Sequence, residues 1–229
     1  VNTLIFGASG GLADALARCF LSQDWRVDLV TRMAKCNEVE NSFADAISMD
    51  RARLFCVDNK YSSFAPAQPY QAYFFTQALF SPNPLTAMRD DSIASEINVG
   101  LVDVIQLVRN LLVQHPPELA ERRDFCFIGS TSAYAGFRNT SVYCAVKHGL
   151  LGFVRALNDE YAQTNTRFWL FSMGTMNTEM GRRLTEQDST SFLQPADVAG
   201  RIVEAVCSPS NVFEPEVILR RRTVRFREI

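Results

Sequence analysis

Short apolar runs alternating with helical stripes set the layout of the 229-residue chain. Thr3, Leu4, Ile5 and Phe6 form an apolar run that stops at a glycine-rich turn, Gly7-Ala8-Ser9-Gly10-Gly11. Leu12, Ala15, Leu16, Cys19 and Phe20 then recur at helical spacing, which predicts an amphipathic helix. Further strands are predicted over 26–31, 51–57, 72–76, 125–129, 167–172 and 216–219. Weak helical character covers 37–49, and Ser92 is the expected N-cap of a long helix reaching about 114. A helix carrying Tyr143 runs to about 163, and Pro195 opens a last one ending at 206. The helix over 92–114 is apolar nearly all round, which predicts burial on two sides, against the sheet and against another subunit. Residues 61–69, rich in Ser, Pro and aromatics, read as loop, so the helix before the fourth strand is expected to be reduced. Residues 176–193 are polar and irregular, long enough for a lid or substrate loop. Strands alternating with helices point to an α/β fold, a doubly wound parallel sheet of about seven strands with helices on both faces. No repeat or linker breaks the pattern, so one domain over 1–229 is expected.

Composition narrows the partners. A net charge of −2 gives no field to draw the chain to nucleic acid or to an anionic membrane, and neither is expected as a partner. The basic residues Arg220, Arg221, Arg222, Arg225 and Arg227 read as a solvated tail, with nucleic-acid contact as the alternative. No apolar run approaches the roughly 18 residues of a membrane span. The first strand has no basic leader before it, so no signal peptide is expected and the cytoplasm is the expected location. Cys19, Cys36, Cys56, Cys126, Cys144 and Cys207 show no C-x-x-C spacing and are expected as buried thiols in a reducing compartment. His115 and His148 lack partners at ligand spacing, so no metal site is expected.

The candidate chemistry begins at the glycine turn. In a strand–turn–helix setting, glycines let the backbone approach a pyrophosphate, which sits at the positive end of the following helix. A plain tight loop is the alternative. Arg32 ends the second strand, where the chain faces an adenosine ribose. An acid there would bond the 2′-hydroxyl of NAD, whereas a guanidinium suits a 2′-phosphate. NADP(H) is therefore favoured and NAD(H) possible, with a solvated loop arginine as the other reading. Downstream, Ser130 precedes Tyr143, and Lys147 follows Tyr143 at i+4, on the same helix face. A phenol titrates near ~10 in water, and a neighbouring ammonium is expected to favour its phenolate. Lysine is scarce (Lys35, Lys60 and Lys147 only), so chance supplies roughly 0.08 Tyr-x-x-x-Lys pairs. Tyr134 finds Arg138 four residues on, and Ser132 stands two residues too close to Tyr143.

The series of glycine turn, Asn98, Ser130, Tyr143 and Lys147 resembles the short-chain dehydrogenases/reductases in their single-domain form, over residues 3–219. The resemblance implies cofactor contacts at Gly7, Ser9, Gly10, Gly11 and Leu12 in the turn, and at Asp58 against the adenine. It also implies them at Thr76, Gln77 and Ala78, where the family has N-N-A-G, and at Tyr143 and Lys147. Met173 to Thr178 is similar to the family's P-G-x-[IV]-x-T, which adds Gly174, Met176 and Thr178. Asn98, Ser130, Tyr143 and Lys147 would form the catalytic tetrad. Phe6, Ala13, Thr76-Gln77-Ala78-Leu79 and Met173 depart from the family's pattern and bear on cofactor affinity more than on the chemical step. The implied activity is hydride transfer between a nicotinamide and a small carbonyl or secondary alcohol, by a homodimer or homotetramer. Arg138, Arg182 and Arg183 leave an anionic substrate open, although surface arginines are commoner. The alternatives are a non-catalytic NADPH-binding regulator or scaffold, and a sugar-nucleotide epimerase or dehydratase, whose usual C-terminal substrate domain has no room here.

Overall fold

Each predicted apolar run forms a strand in the computed structural model, which describes residues 1–58, 60–117, 121–184, 188–209 and 212–221. In chain order the elements are β1 (Asn2–Phe6), α1 (Gly11–Ser22), β2 (Arg26–Arg32), α2 (Cys36–Ser42), α3 (Ala44–Ser48), β3 (Ala52–Val57) and β4 (Ala72–Phe75). They continue as α4 (Asp90–Ile97), α5 (Asp103–Gln114), β5 (Arg123–Ile128), α6 (Ser141–Glu160), β6 (Thr166–Met173), α7 (Pro195–Cys207) and β7 (Glu216–Leu219). The seven strands form one parallel sheet in the order β3-β2-β1-β4-β5-β6-β7.

Because side chains alternate across a strand, neighbouring residues feed opposite cores. Ile5, Leu29, Phe74, Cys126 and Phe171 pack under α1 and α7. Leu4, Val30, Tyr73, Phe127 and Leu170 pack under α5 and α6. This two-sided burial explains why the strands read as apolar runs and not as alternating ones. No α-helix lies between β3 and β4 among the described residues; a short 3-10 turn, Tyr61–Ser63, takes its place. Tyr61 and Phe64 cover Phe6 edge-on, at ring separations of 6.3 and 6.0 Å. The buried Asp103 of α5 accepts from the Tyr61 and Ser62 N–H groups at 2.9 and 3.0 Å, which fixes this loop to the helix.

Two expectations are corrected. The single helix expected from Ser92 starts at Asp90 and is divided by a π-helical turn, Asn98–Val102, between α4 and α5. In the single chain Val102, Ile105 and Val113 are exposed. The cysteines are not all thiols: Cys36 at the start of α2 and Cys56 on β3 are joined by a disulfide across a Cα separation of 5.9 Å. Cys19, Cys126, Cys144 and Cys207 are free. The parallel register that sets Thr31 beside Cys56 brings the two sulfurs together, although 20 residues separate them in sequence. No helix among the described residues is long and apolar enough to cross a membrane. Of the basic tail, Arg222, Arg225 and Arg227 lie outside the described residues, as do 185–187 of the 176–193 segment.

Candidate active site

A parallel sheet brings the carboxyl ends of all its strands to one edge, and a crevice opens where the strand order reverses, here between β1 and β4. The turn after β1, Asp58, Thr76 to Ala78, Ser130 and Gly174 follow strand ends on that edge, and Arg32 is the last residue of β2. Gly7 has φ +82°, and a Cβ there would stand 2.8 Å from both the Gln77 backbone N and Thr76 Oγ1. The turn thus takes a left-handed conformation in which only glycine is unstrained. Thr76 holds the turn from across the crevice by donating to the Phe6 and Gly7 carbonyls at 2.7 and 3.2 Å.

The residues around this turn fit a dinucleotide. Gly10 caps α1 without a side-chain hydrogen bond, which leaves the first N–H groups of the helix to an anion. Gln77 is buried, and neither atom of its amide has a partner. A buried amide left unsatisfied beside an open glycine cradle marks a place for a polar ligand. A cavity of about 210 Å³ adjoins the turn, lined by Ser9, Gly10, Gly11, Val39 and Phe43 among others. Leu12 turns its side chain into the core, so only its backbone belongs to the cradle. Thr178 arrives from the segment after β6, its methyl 3.2 Å from where a Cβ on Gly11 would stand. That segment is tied down by a bridge between Met176 and Leu193 and by the Gly174 N–H bonding the Leu219 carbonyl at 3.0 Å. At the other end of the crevice Arg32 is exposed, with its charge near Tyr61, and Asp58 is exposed at the end of β3.

Ser130 follows β5 and accepts from the Ser132 N–H at 3.1 Å, capping a 3-10 turn. Its hydroxyl lies near Tyr143, in the first turn of α6, and acts to lower the pKa of that phenol. Lys147 is one turn on, its Nζ 5.5 Å from the centroid of the Tyr143 ring and donating to the Ile128 carbonyl at 2.7 Å. Burial pulls the Lys147 ammonium down to about 8. The phenol shifts the opposite way from the expectation. Burial pushes Tyr143 up to about 12, with the Ser130 hydroxyl opposing and the Glu96 charge adding. The pair on its own therefore rests as phenol and ammonium, a proton donor beside a cation.

Asn98 opens the π-helical turn, its carbonyl bonded by the Asp103 N–H; its side chain is exposed. Such turns recur at functional sites because they redirect backbone groups out of the α-helical ladder. Tyr134, the rival phenol, points elsewhere, donating to Glu216 Oε2 at 3.0 Å on the far strand. Arg182 bonds Asn177 at 2.9 Å, and Arg138 is exposed.

Sequence reasoning missed two neighbours of Tyr143. Phe80 packs edge-on against its ring at 4.8 Å, and the Phe80 carbonyl is held by Arg183 at 3.1 Å. Glu96, on the inward face of α4, is buried close enough to act electrostatically on both Tyr143 and Lys147. The signal for Glu96 was an acid standing in the apolar stripe of Ile93, Ile97 and Gly100. For Phe80 no sequence signal existed, because the loop after β4 has no periodicity.

The sequence model of the family described as short chain dehydrogenase matches residues 78–189. Carbonyl reductase family member 4 of Xenopus tropicalis is 26% identical over 219 residues, covering 90% of each chain. Among solved structures, ElxO with NADP bound superposes with a TM-score of 0.80 at 18% identity, over 95% of this chain and 96% of that one. A 4-hydroxyisoleucine dehydrogenase complexed with NADH gives 0.77 at 17% identity, over 96% of each chain. At these identities the structural likeness is one of fold, and the two neighbours carry different nicotinamide cofactors.

Proposed function

We propose that the chain, which matches the short chain dehydrogenase model over residues 78–189, is a short-chain dehydrogenase/reductase, an NADP(H)-dependent oxidoreductase acting on a small carbonyl compound or secondary alcohol. The observation that carries the reading is the Ser130–Tyr143–Lys147 cluster at the same sheet edge as the Gly7 turn and the unsatisfied Gln77 amide.

The glycine turn, Gln77 and Thr178 would hold the dinucleotide, with Ser9, Gly11, Ala78, Gly174 and Met176 around it. When bound, the nicotinamide supplies or accepts the hydride. Ser130 hydrogen-bonds the substrate oxygen where charge develops. Tyr143 gives that oxygen its phenolic proton as the alcohol forms, and it takes the proton back in the reverse direction. Lys147 stabilises the phenolate left behind, and its charge is available only below about pH 8. Asn98, at the π-helical turn, helps to position a water that joins Lys147 to solvent. The phenol keeps its proton at neutral pH, which is the form that carbonyl reduction requires. Arg32 supports NADP over NAD by offering a guanidinium to a 2′-phosphate. Arg32→Ala is expected to weaken NADPH binding much more than NADH binding.

An NADPH-oxidation screen against aldehydes, ketones and keto-sugars tests the reading. Turnover of at least one carbonyl class supports it; tight NADPH binding with no turnover across the panel would instead favour a cofactor-sensing regulator of the same fold.

A further inference from the structure

The roles assigned so far leave one buried charge beside the active site unused. Glu96 is 1% exposed on α4, two residues before Asn98. A carboxylate taken out of water requires compensation. Burial pushes its carboxyl up, with Ser81 in the loop after β4 and the Lys147 charge opposing, and Oε2 has no hydrogen-bond partner. On α4 itself Asp91 pairs with Arg89, just before the helix, at 2.7 Å. Arg183, at the mouth of the cavity bounded by Ser81, Asp91 and Ser95, pairs with Glu179 at 3.3 Å. The compensating charge lies across the helix interface, where α6 presents Tyr143, Cys144 and Lys147. The helices approach closely there: a Cβ on Gly100 would stand 2.7 Å from Val146 Cγ1. Lys147 is 3% exposed, and the Glu96 charge favours its protonated form.

We propose that Glu96 is a positioning residue of the active site, a buried carboxylate on α4 that keeps the facing Lys147 ammonium and Tyr143 phenol loaded with their protons. The inference rests on the reading of Tyr143 and Lys147 as the proton-transfer pair. Burial strips charge from Lys147, and the carboxylate restores it. The same carboxylate disfavours the Tyr143 phenolate, so the phenol holds its proton until a substrate oxygen takes it. Glu96 thereby keeps the resting site in the protonated form that carbonyl reduction requires. Its position two residues before Asn98 turns it inward, while Asn98 faces solvent at the π-helical turn.

The scarcity of lysine makes the test direct. With only Lys35, Lys60 and Lys147 in the chain, a ¹³Cε-lysine NMR spectrum holds three resonances, and the buried lysine titrates near 8. Glu96→Gln is expected to lower that midpoint by about one pH unit and to carry the alkaline limb of carbonyl reduction with it. Glu96→Asp, which keeps the charge, is expected to restore the midpoint. A Glu96→Gln midpoint equal to that of the unsubstituted protein overturns the proposal. Since glutamine at so buried a position can prevent folding, the unsubstituted protein supplies a second reading. The coupling is reciprocal, so one ¹³Cδ-glutamate resonance must follow the Lys147 midpoint. If none does, the proposal fails. Neither titration needs turnover, so an inactive protein would count against the proposed function while leaving this test decisive.

Discussion

Replacing Gly7 by alanine puts a methyl group against the β4 end of the crevice, and its cost follows from two features of the turn. At φ +82° an L-residue meets its own carbonyl, worth roughly 1–2 kcal/mol. The new Cβ would also lie 2.8 Å from the Gln77 backbone N, which the β4 strand holds in place, so the turn must move. Overpacking of this kind adds roughly 1–3 kcal/mol. Together these give an expected loss of about 2–5 kcal/mol, read by urea unfolding as a lower midpoint at unchanged slope. Gly10→Ala is the matched control. Gly10 sits at φ −83° and ψ 146°, and a Cβ there would meet nothing closer than the Gly7 carbonyl at 3.5 Å. Its stability should stay within about 0.5 kcal/mol of the parent. Its methyl would nonetheless fill the space at the start of α1, so NADPH affinity, followed by nicotinamide fluorescence, should fall at least tenfold. A Gly7→Ala protein as stable as the parent would refute the strain argument, and a Gly10→Ala protein with parental NADPH affinity would refute the cradle.

Asp124 accepts from Arg122 at 3.0 Å, Arg167 at 2.6 Å and Trp169 at 2.7 Å at the opposite end of the sheet. Asp124→Ala leaves the Trp169 indole N–H unpartnered and removes the charge facing Arg122 and Arg167, which keep only backbone carbonyls. It should cost about 3–5 kcal/mol in thermal unfolding; a loss below about 1 would refute it. Alkylation of the denatured, unreduced protein should modify the four free cysteines and spare Cys36 and Cys56. Reducing that disulfide should lower stability by about 3 kcal/mol, and modification of all six cysteines before reduction would contradict the pairing. Carbonyl reduction should lose rate as the pH rises through about 8, because the charged form of Lys147 is the active one and burial lowers its pKa to that value. A kcat/KM profile flat to about pH 10 would refute this.

The sheet was legible because its strands are buried on both faces and so announce themselves as apolar runs; β7 appears over the expected 216–219. The glycine turn and the Tyr143–Lys147 pair were legible because their spacing is set by local geometry. What escaped depends on contacts between distant segments. The π-helical turn at Asn98 interrupts no hydrophobic period, so the stripe from Ile93 to Leu112 reads as one helix. Cys36 and Cys56 meet only through the β2–β3 register. Glu96 and Phe80 reach Tyr143 from α4 and from the loop after β4, and nothing local marks either as a neighbour of α6. The influences that raise the Tyr143 pKa in the chain alone were hidden for the same reason: the lysine was visible in sequence, but the desolvation and the opposing carboxylate were not.

The central claim is that the Tyr143 phenol carries the proton that accompanies hydride transfer. Tyr143→Phe removes one oxygen from a ring that Phe80 and α6 continue to hold. Turnover of a carbonyl identified with the unsubstituted protein should fall at least a thousandfold, while the NADPH dissociation constant, measured by fluorescence on the same preparation, stays within about threefold. Turnover within tenfold of the unsubstituted protein, with NADPH bound, would contradict the account.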